Sequence, residues 1–159
     1  MQDLITRMDG WLQQHRPAYY ATLATGVSVA ALDDYERRTG ITLPADLRAL
    51  WLWKDGSTEE ALFTNHMFIS VKDSLSSKLE LDAMIGSDFE DPEWWKRQWV
   101  PFTQSFGGDH LCINIVSEKP GEIIDFWHDE PLREVVAPTL EDWLHSLVET
   151  MESGRLELA

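Results

Sequence analysis

The sequence is short of cysteine, of glycine and proline, and of positive charge, and each shortage removes a class of answer. Cys112 stands alone, so there is no disulfide framework and no cysteine pair for a thiolate zinc site. Only 9 glycines and 7 prolines occur among 159 residues, and 43% of the chain is hydrophobic, which argues against a disordered chain. No apolar run approaches the roughly 18 residues that a membrane span needs. The start, Met1-Gln2-Asp3-Leu4-Ile5, has no basic stretch followed by an apolar one. A signal peptide is therefore not expected, and the cytoplasm is the default compartment. Lysine and arginine total 13 against 28 acids, a formal charge of -15. Such a surplus repels phosphate and argues against direct binding to nucleic acid or an anionic membrane.

The charge is uneven. Residues 1–54 hold six acids and six bases, whereas residues 55–159 hold 22 acids and 7 bases and so carry the whole excess. Charge concentrated in this way suits an electrostatically steered interface with a basic partner. The length fits one domain over residues 1–159.

Periodicity predicts three helices in the first third. Leu4, Ile5, Met8, Trp11 and Leu12 share one face of a helix over Asp3 to His15, with Pro17 marking its end. Ser28 is the N-cap of a helix through Thr39, stopped by Gly40. Pro44 suits the first turn of a third, in which Leu47, Leu50 and Trp51 repeat before Lys54-Asp55-Gly56-Ser57 closes it. Leu62-Phe63 and Met67-Phe68-Ile69 read as short strand-like pieces, followed by a helix from Lys72 to Ile85. Gly86 to Lys96 is a polar, acidic loop. Strands are predicted at Trp99–Thr103, His110–Val116 and Glu122–Trp127, with a turn at Ser117–Gly121. Alternation places Leu111, Ile113 and Ile115 on one face of the second strand and Cys112, Asn114 and Val116 on the other. Both sets are fairly apolar, so that strand should be central and covered on both sides. Thr139 and Asp142 open a last helix with an apolar stripe from Leu140 to Met151, and Gly154 stops it. N-terminal helices, a twisted antiparallel sheet and a C-terminal packing helix make an α+β domain.

Chemistry is harder to find. There is no nucleophile elbow, no phosphate-binding loop and no zincin helix. Gly107-Gly108 precedes a strand, so it reads as a tight turn rather than an anion cradle. Asp109-His110 and His128-Asp129 stand at the start of one strand and the end of the next. Paired as a hairpin, those strands would gather two imidazoles and two carboxylates, as a metal-dependent hydrolase would need. The same residues are also ordinary solvated turn residues, and the spacing does not decide between the two. Of eight tryptophans, Trp11, Trp51 and Trp143 fall on helix stripes, while Trp99 and Trp127 fall in strands, so core packing accounts for them. Trp94 and Trp95 differ: beside Asp88, Glu90, Asp91 and Glu93 they have the composition of a binding hot spot within a charged rim. The alternative is that one ring is tucked inward to pin the loop.

The order of these segments is itself informative. Leu32 and Gly40-Ile41-Thr42-Leu43-Pro44 precede Lys54-Asp55-Gly56-Ser57. Trp99-Val100-Pro101-Phe102 and Gly107-Gly108-Asp109-His110-Leu111-Cys112-Ile113-Asn114 follow. Gly121-Glu122-Ile123, Trp127-His128 and Thr139-Leu140-Glu141-Asp142-Trp143-Leu144 complete the series. Over residues 28–148 the chain resembles the SUKH superfamily in its Smi/Knr branch, with 1–27 as an N-terminal helical extension. The resemblance implies no catalytic activity and no cofactor. Bacterial members are similar to immunity proteins that neutralise toxin domains, often nucleases, and fungal members to scaffolds in cell-wall regulation. Asn114 departs from the acid usual in that strand, so no role for an acid carries over.

The expectation is therefore a non-enzymatic immunity protein, a monomer or weak dimer, that occludes a basic toxin. A general protein-interaction adaptor is the alternative. The residues expected to meet the partner are Asp55, Glu59, Glu60, Asp88, Glu90, Asp91, Glu93, Trp94, Trp95, Asp109 and His110.

Overall fold

The computed structural model describes residues 1–57, 59–115 and 121–158. Four helices, not three, fill the first third: α1 (Gln2–His15), α2 (Pro17–Thr22), α3 (Val29–Thr39) and α4 (Ala45–Trp53). Pro17 ends nothing. It occupies the first position of α2, where a missing N–H is harmless. Ser28 caps α3 by accepting from the Ala31 N–H at 3.2 Å, and Gly40 terminates it at a φ of 72°. Pro44 immediately precedes α4 instead of lying in its first turn. Later come α5 (Val71–Met84), capped by Ser70, and α6 (Leu140–Glu152), capped by Thr139.

The strands form two sheets. β2 (Trp99–Pro101), β4 (His110–Asn114), β5 (Ile123–Phe126) and β6 (Arg133–Ala137) make an antiparallel sheet in the order β2-β4-β5-β6. β1 (His66–Phe68) and β3 (Thr103–Ser105) make a separate antiparallel pair. The predicted strand Trp99–Thr103 is thus divided, one half in each sheet. Phe102 is the junction: its N–H donates to Leu111 O at 3.0 Å, and its carbonyl accepts from the Ile69 N–H at 3.2 Å. Leu62-Phe63 is not a strand, although Phe63 forms one isolated bridge to His66. β6 was not anticipated. It is an edge strand bracketed by Pro131 and Pro138, with Val135 and Val136 exposed. Val116 and residues 117–120 of the predicted turn lie outside the described residues.

β4 is central and buried throughout. Its Leu111 and Ile113 face the larger core, with the apolar stripes of α1, α4 and α6. Cys112 faces a smaller core of Trp95, Trp99, Ile124 and Phe126. Leu4, Ile5, Met8 and Leu12 all belong to the larger core, so α1 is an integral layer and not an appendage. Trp127, expected in a strand core, follows β5 and is 44% exposed.

The Lys54–Ser57 segment is a structural node. Gly56 has a φ of 76°, and an added Cβ would come within 2.5 Å of the Ile69 backbone, so glycine is required twice over. Asp55 Oδ1 accepts from the Val71 N–H at 2.7 Å and so satisfies the start of α5. Among the described residues no helix is long and apolar enough to cross a membrane.

Candidate partner-binding groove

A concave surface opens between the two sheets. The β1–β3 pair forms one wall, and β5, β6 and α6 form the other. The cavity is about 720 Å³, with Phe63, His66, Phe106, Asp125, Trp127 and Trp143 among its lining.

Phe106 is presented by a self-locked turn. Ser105 Oγ accepts from the Gly107 and Asp109 N–H groups at 3.1 and 3.0 Å and donates to Asp109 Oδ2 at 3.0 Å. Gly108 supplies the φ of 99° that closes the turn. Phe106, at its tip, is 60% exposed, and its N–H donates to Asn65 O at 3.1 Å. Opposite lies Trp127. Deeper in, Phe63 meets Trp143 edge-on at 5.5 Å and stacks on His66 at 5.2 Å.

The groove is acidic. Asp109 and Asp125 line it, and among the described residues no lysine or arginine does. Glu134 stands directly across from Asp125 in the β5–β6 pairing, on the same side of the sheet. Asp109 Oδ1 accepts from both the His128 N–H at 3.0 Å and His128 Nδ1 at 2.7 Å. Partial burial pushes the Asp109 carboxyl up, but the bonds from His128 and Ser105 outweigh it and hold the group below its usual range. The same side-chain bond raises the pKa of the exposed His128.

The predicted hairpin therefore forms, with His110 opposite Phe126, but it does not gather all four metal candidates. Ligand atoms of Asp109, His128 and Asp129 lie within 4.8 Å of one another. His110 is turned into the interior, where Nδ1 lies 2.9 Å from Thr103 O. A carbonyl can only accept, so that nitrogen carries the proton. Burial lowers the pKa of His110 and favours the neutral ring. Being buried, it is not a surface contact either.

The acidic loop takes the second of the two arrangements its composition left open, with one ring tucked inward. Asp88, Glu90, Asp91 and Glu93 are exposed, as are Glu59 and Glu60. Trp95, however, is 2% exposed: its indole N–H donates to Asp82 Oδ1 at 2.8 Å and its ring packs edge-on against Trp99 and Phe126. Trp94 is half-buried, with the Arg133 guanidinium 5.1 Å above its ring. Trp95 thus cannot anchor a partner, because the loop needs its ring to attach to the sheet. Asp55 is likewise occupied, by the N-terminus of α5. The Trp94–Trp95 corner packs on the Cys112–Phe126 face of the sheet, and the groove opens on the opposite Leu111–Asp125 face.

Phe106, Trp127 and Asp125 line the candidate groove but were not singled out by the sequence. A signal did exist for two of them. Phe106 immediately precedes Gly-Gly, where a large apolar side chain sits at a turn tip. Trp127 falls in the alternation on the side of Asp125, not on that of Ile124 and Phe126.

Comparison with known proteins adds the family. Residues 26–146 match the SMI1 / KNR4 family (SUKH-1). The chain is similar to the cell wall biosynthesis/cell cycle regulator smi1 of Schizosaccharomyces pombe, at 24% identity, with 94% of this chain and 36% of that protein aligned. It is also similar to a glucan synthesis regulatory protein of Neurospora crassa, at 22% identity over 94% of this chain and 38% of that one. The chain therefore spans little more than a third of the length of these curated relatives. The match over residues 26–146 covers most of the 159-residue chain, and the protein belongs to the SMI1/KNR4 family.

Proposed function

We propose that the protein is an immunity-type binding module, which neutralises a basic toxin in the cytoplasm by stoichiometric occlusion and without turnover. The observation that carries this reading is the groove, where exposed Phe106 and Trp127 flank a floor holding Asp109 and Asp125. Aromatic side chains are enriched at interface cores, and the carboxylates beside them complement the cationic surface with which a nuclease binds polyanions. The exposed acids Glu59, Glu60, Asp88, Glu90, Asp91 and Glu93 steer the approach from a distance.

The test is co-purification with the basic product of the adjacent gene, followed by kinetics on variants. Phe106→Ala and Trp127→Ala should each weaken the complex by about 2 kcal/mol or more, mainly through faster dissociation. Charge reversal at Glu90 and Asp91 should slow association and flatten its salt dependence while leaving dissociation unchanged. Groove variants that bind with full affinity would refute the groove as the working face.

Two other readings have specific support. The relatives' names are those of regulatory proteins, which suits a general interaction adaptor that would retain the groove but not protect cells from a toxin. A metal-dependent hydrolase would use Asp109, His128 and Asp129, whose ligand atoms converge, without the inward-facing His110. Absence of zinc or manganese binding in a calorimetric titration would dispose of it.

A further inference from the structure

We propose that the groove receives one arginine side chain of the protein partner, held between aromatic walls with its guanidinium on Asp125 and Glu134. The inference rests on the groove being the partner-binding face, but not on the partner being a toxin.

Asp125 lines the groove, and Glu134 stands beside it just outside the lining. Asp125 on β5 and Glu134 on β6 are directly opposed across the antiparallel pair, which sets two like charges side by side. Among the described residues neither carboxylate accepts a hydrogen bond or forms a close ion pair, although Asp125 lies near enough to His66 and Arg133 to interact with them electrostatically. The base nearest in sequence, Arg133, points to the other side of the sheet. Its guanidinium lies 4.5 Å from the Phe126 ring centroid, and its Nε donates to Trp94 O at 3.0 Å. The sheet thus holds two adjacent acids at the floor and edge of a partly apolar groove and spends its own cation elsewhere.

The walls complete the fit. Phe106 and Trp127 are exposed at the mouth, and Phe63 and Trp143 lie further in. Aromatic faces attract a cation through their quadrupole, and they also cover the methylene stem that carries it. Arginine suits such a place better than lysine. Its planar guanidinium stacks on rings, is weakly hydrated, and offers parallel N–H groups that can bridge neighbouring carboxylates. At 720 Å³ the groove has room for such a side chain together with its flanking backbone.

The test uses the intact protein and three capped heptapeptides of Gly and Ser with a central arginine, lysine or citrulline. Citrulline keeps the shape of arginine and removes its charge. Binding is followed by NMR, with shifts mapped onto the backbone and tryptophan indole signals. The arginine peptide should bind at least tenfold more tightly than the citrulline peptide and more tightly than the lysine peptide. Its shifts should centre on Trp127, Asp125 and Glu134. Asp125→Asn should reduce arginine binding at least fivefold, with an otherwise unchanged spectrum reporting an intact fold. Equal binding of the three peptides, shifts centred on Asp88–Glu93, or no detectable binding would each overturn the assignment. If the arginine assignment fails but Phe106→Ala and Trp127→Ala still weaken the partner complex, the groove stands as the interface without this occupant.

Discussion

Replacing Lys78 with methionine is the most direct test of how the acidic loop is held. Lys78 is 0% exposed, yet its ammonium donates to Asp82 Oδ1 at 3.1 Å, Asp82 Oδ2 at 2.9 Å and Arg97 O at 2.6 Å. Asp82 also accepts the Trp95 indole N–H, so one ion pair ties α5 both to the loop's tryptophan and to the chain entering β2. Lys78→Met keeps most of the buried volume but strands a largely buried carboxylate on a single donor and leaves the Arg97 carbonyl unpaired. Breaking a buried pair from one side costs about 3–5 kcal/mol. Domains are typically stable by only about 5–15 kcal/mol. At this size each kcal/mol moves Tm by about 2–4 °C. Urea unfolding followed by circular dichroism should therefore show a large fall in the midpoint at constant slope. The double variant Lys78→Met/Asp82→Asn removes the stranded charge while keeping an acceptor for Trp95, and should recover at least half of the loss. A single variant within about 1 kcal/mol of the parent, or a double variant no better than the single, would refute the view that this pair pins the loop.

Two further outcomes follow from the groove. Asp109 raises the pKa of His128, so their bond stabilises the fold fully below the unfolded histidine value of 6.5 and is lost as pH rises through the raised folded value. At the acid end, the lowered pKa of Asp109 gives stability that is present above 3.8 and lost as pH falls through the depressed folded value. Asp109→Asn should bring the His128 titration, followed by imidazole NMR, back toward 6.5; an unmoved titration would mean that the bond does not form in solution. Glu134→Thr removes the like-charge opposition to Asp125 and introduces a good strand former, so it should raise stability by about 0.2–1 kcal/mol in urea unfolding. Unchanged or reduced stability would show that the two carboxylates do not repel.

The parts of the fold legible in the sequence are those whose signals are local. α1, α3, α4, α5 and α6 announce themselves by spaced apolar residues and by caps such as Ser28 and Thr139, which bond where expected. Buried β4 reads correctly because both of its faces are apolar. β6 was hidden because it is an edge: Glu134, Val135 and Val136 are all exposed, so no inside-outside alternation appears. The division at Phe102 was equally invisible, since the residues on both sides of it are buried and nothing in composition tells one sheet from two. At the site, the exposed acids were placed correctly on the surface. The orientation of the tryptophans is not legible, because whether Trp95 or Trp127 turns inward depends on neighbours distant in sequence, Asp82 in the one case and the open space between two sheets in the other.

The junction at Phe102 has a consequence for how such a domain can change. The two sheets that frame the groove are joined at Phe102, where the chain passes directly from β2 into β3, and hydrogen bonds at the junction itself hold them in place. The frame therefore does not depend on Phe106, Trp127, Glu134 or Val136, whose side chains project from it into solvent. Those positions can be exchanged without disturbing a buried hydrogen bond, at stability effects of about half a kcal/mol each. The surface of the groove can then change by substitution at these positions alone, while the helices and the sheet keep their sequence. The fold separates the residues that maintain its shape from those that set the chemistry of its open face.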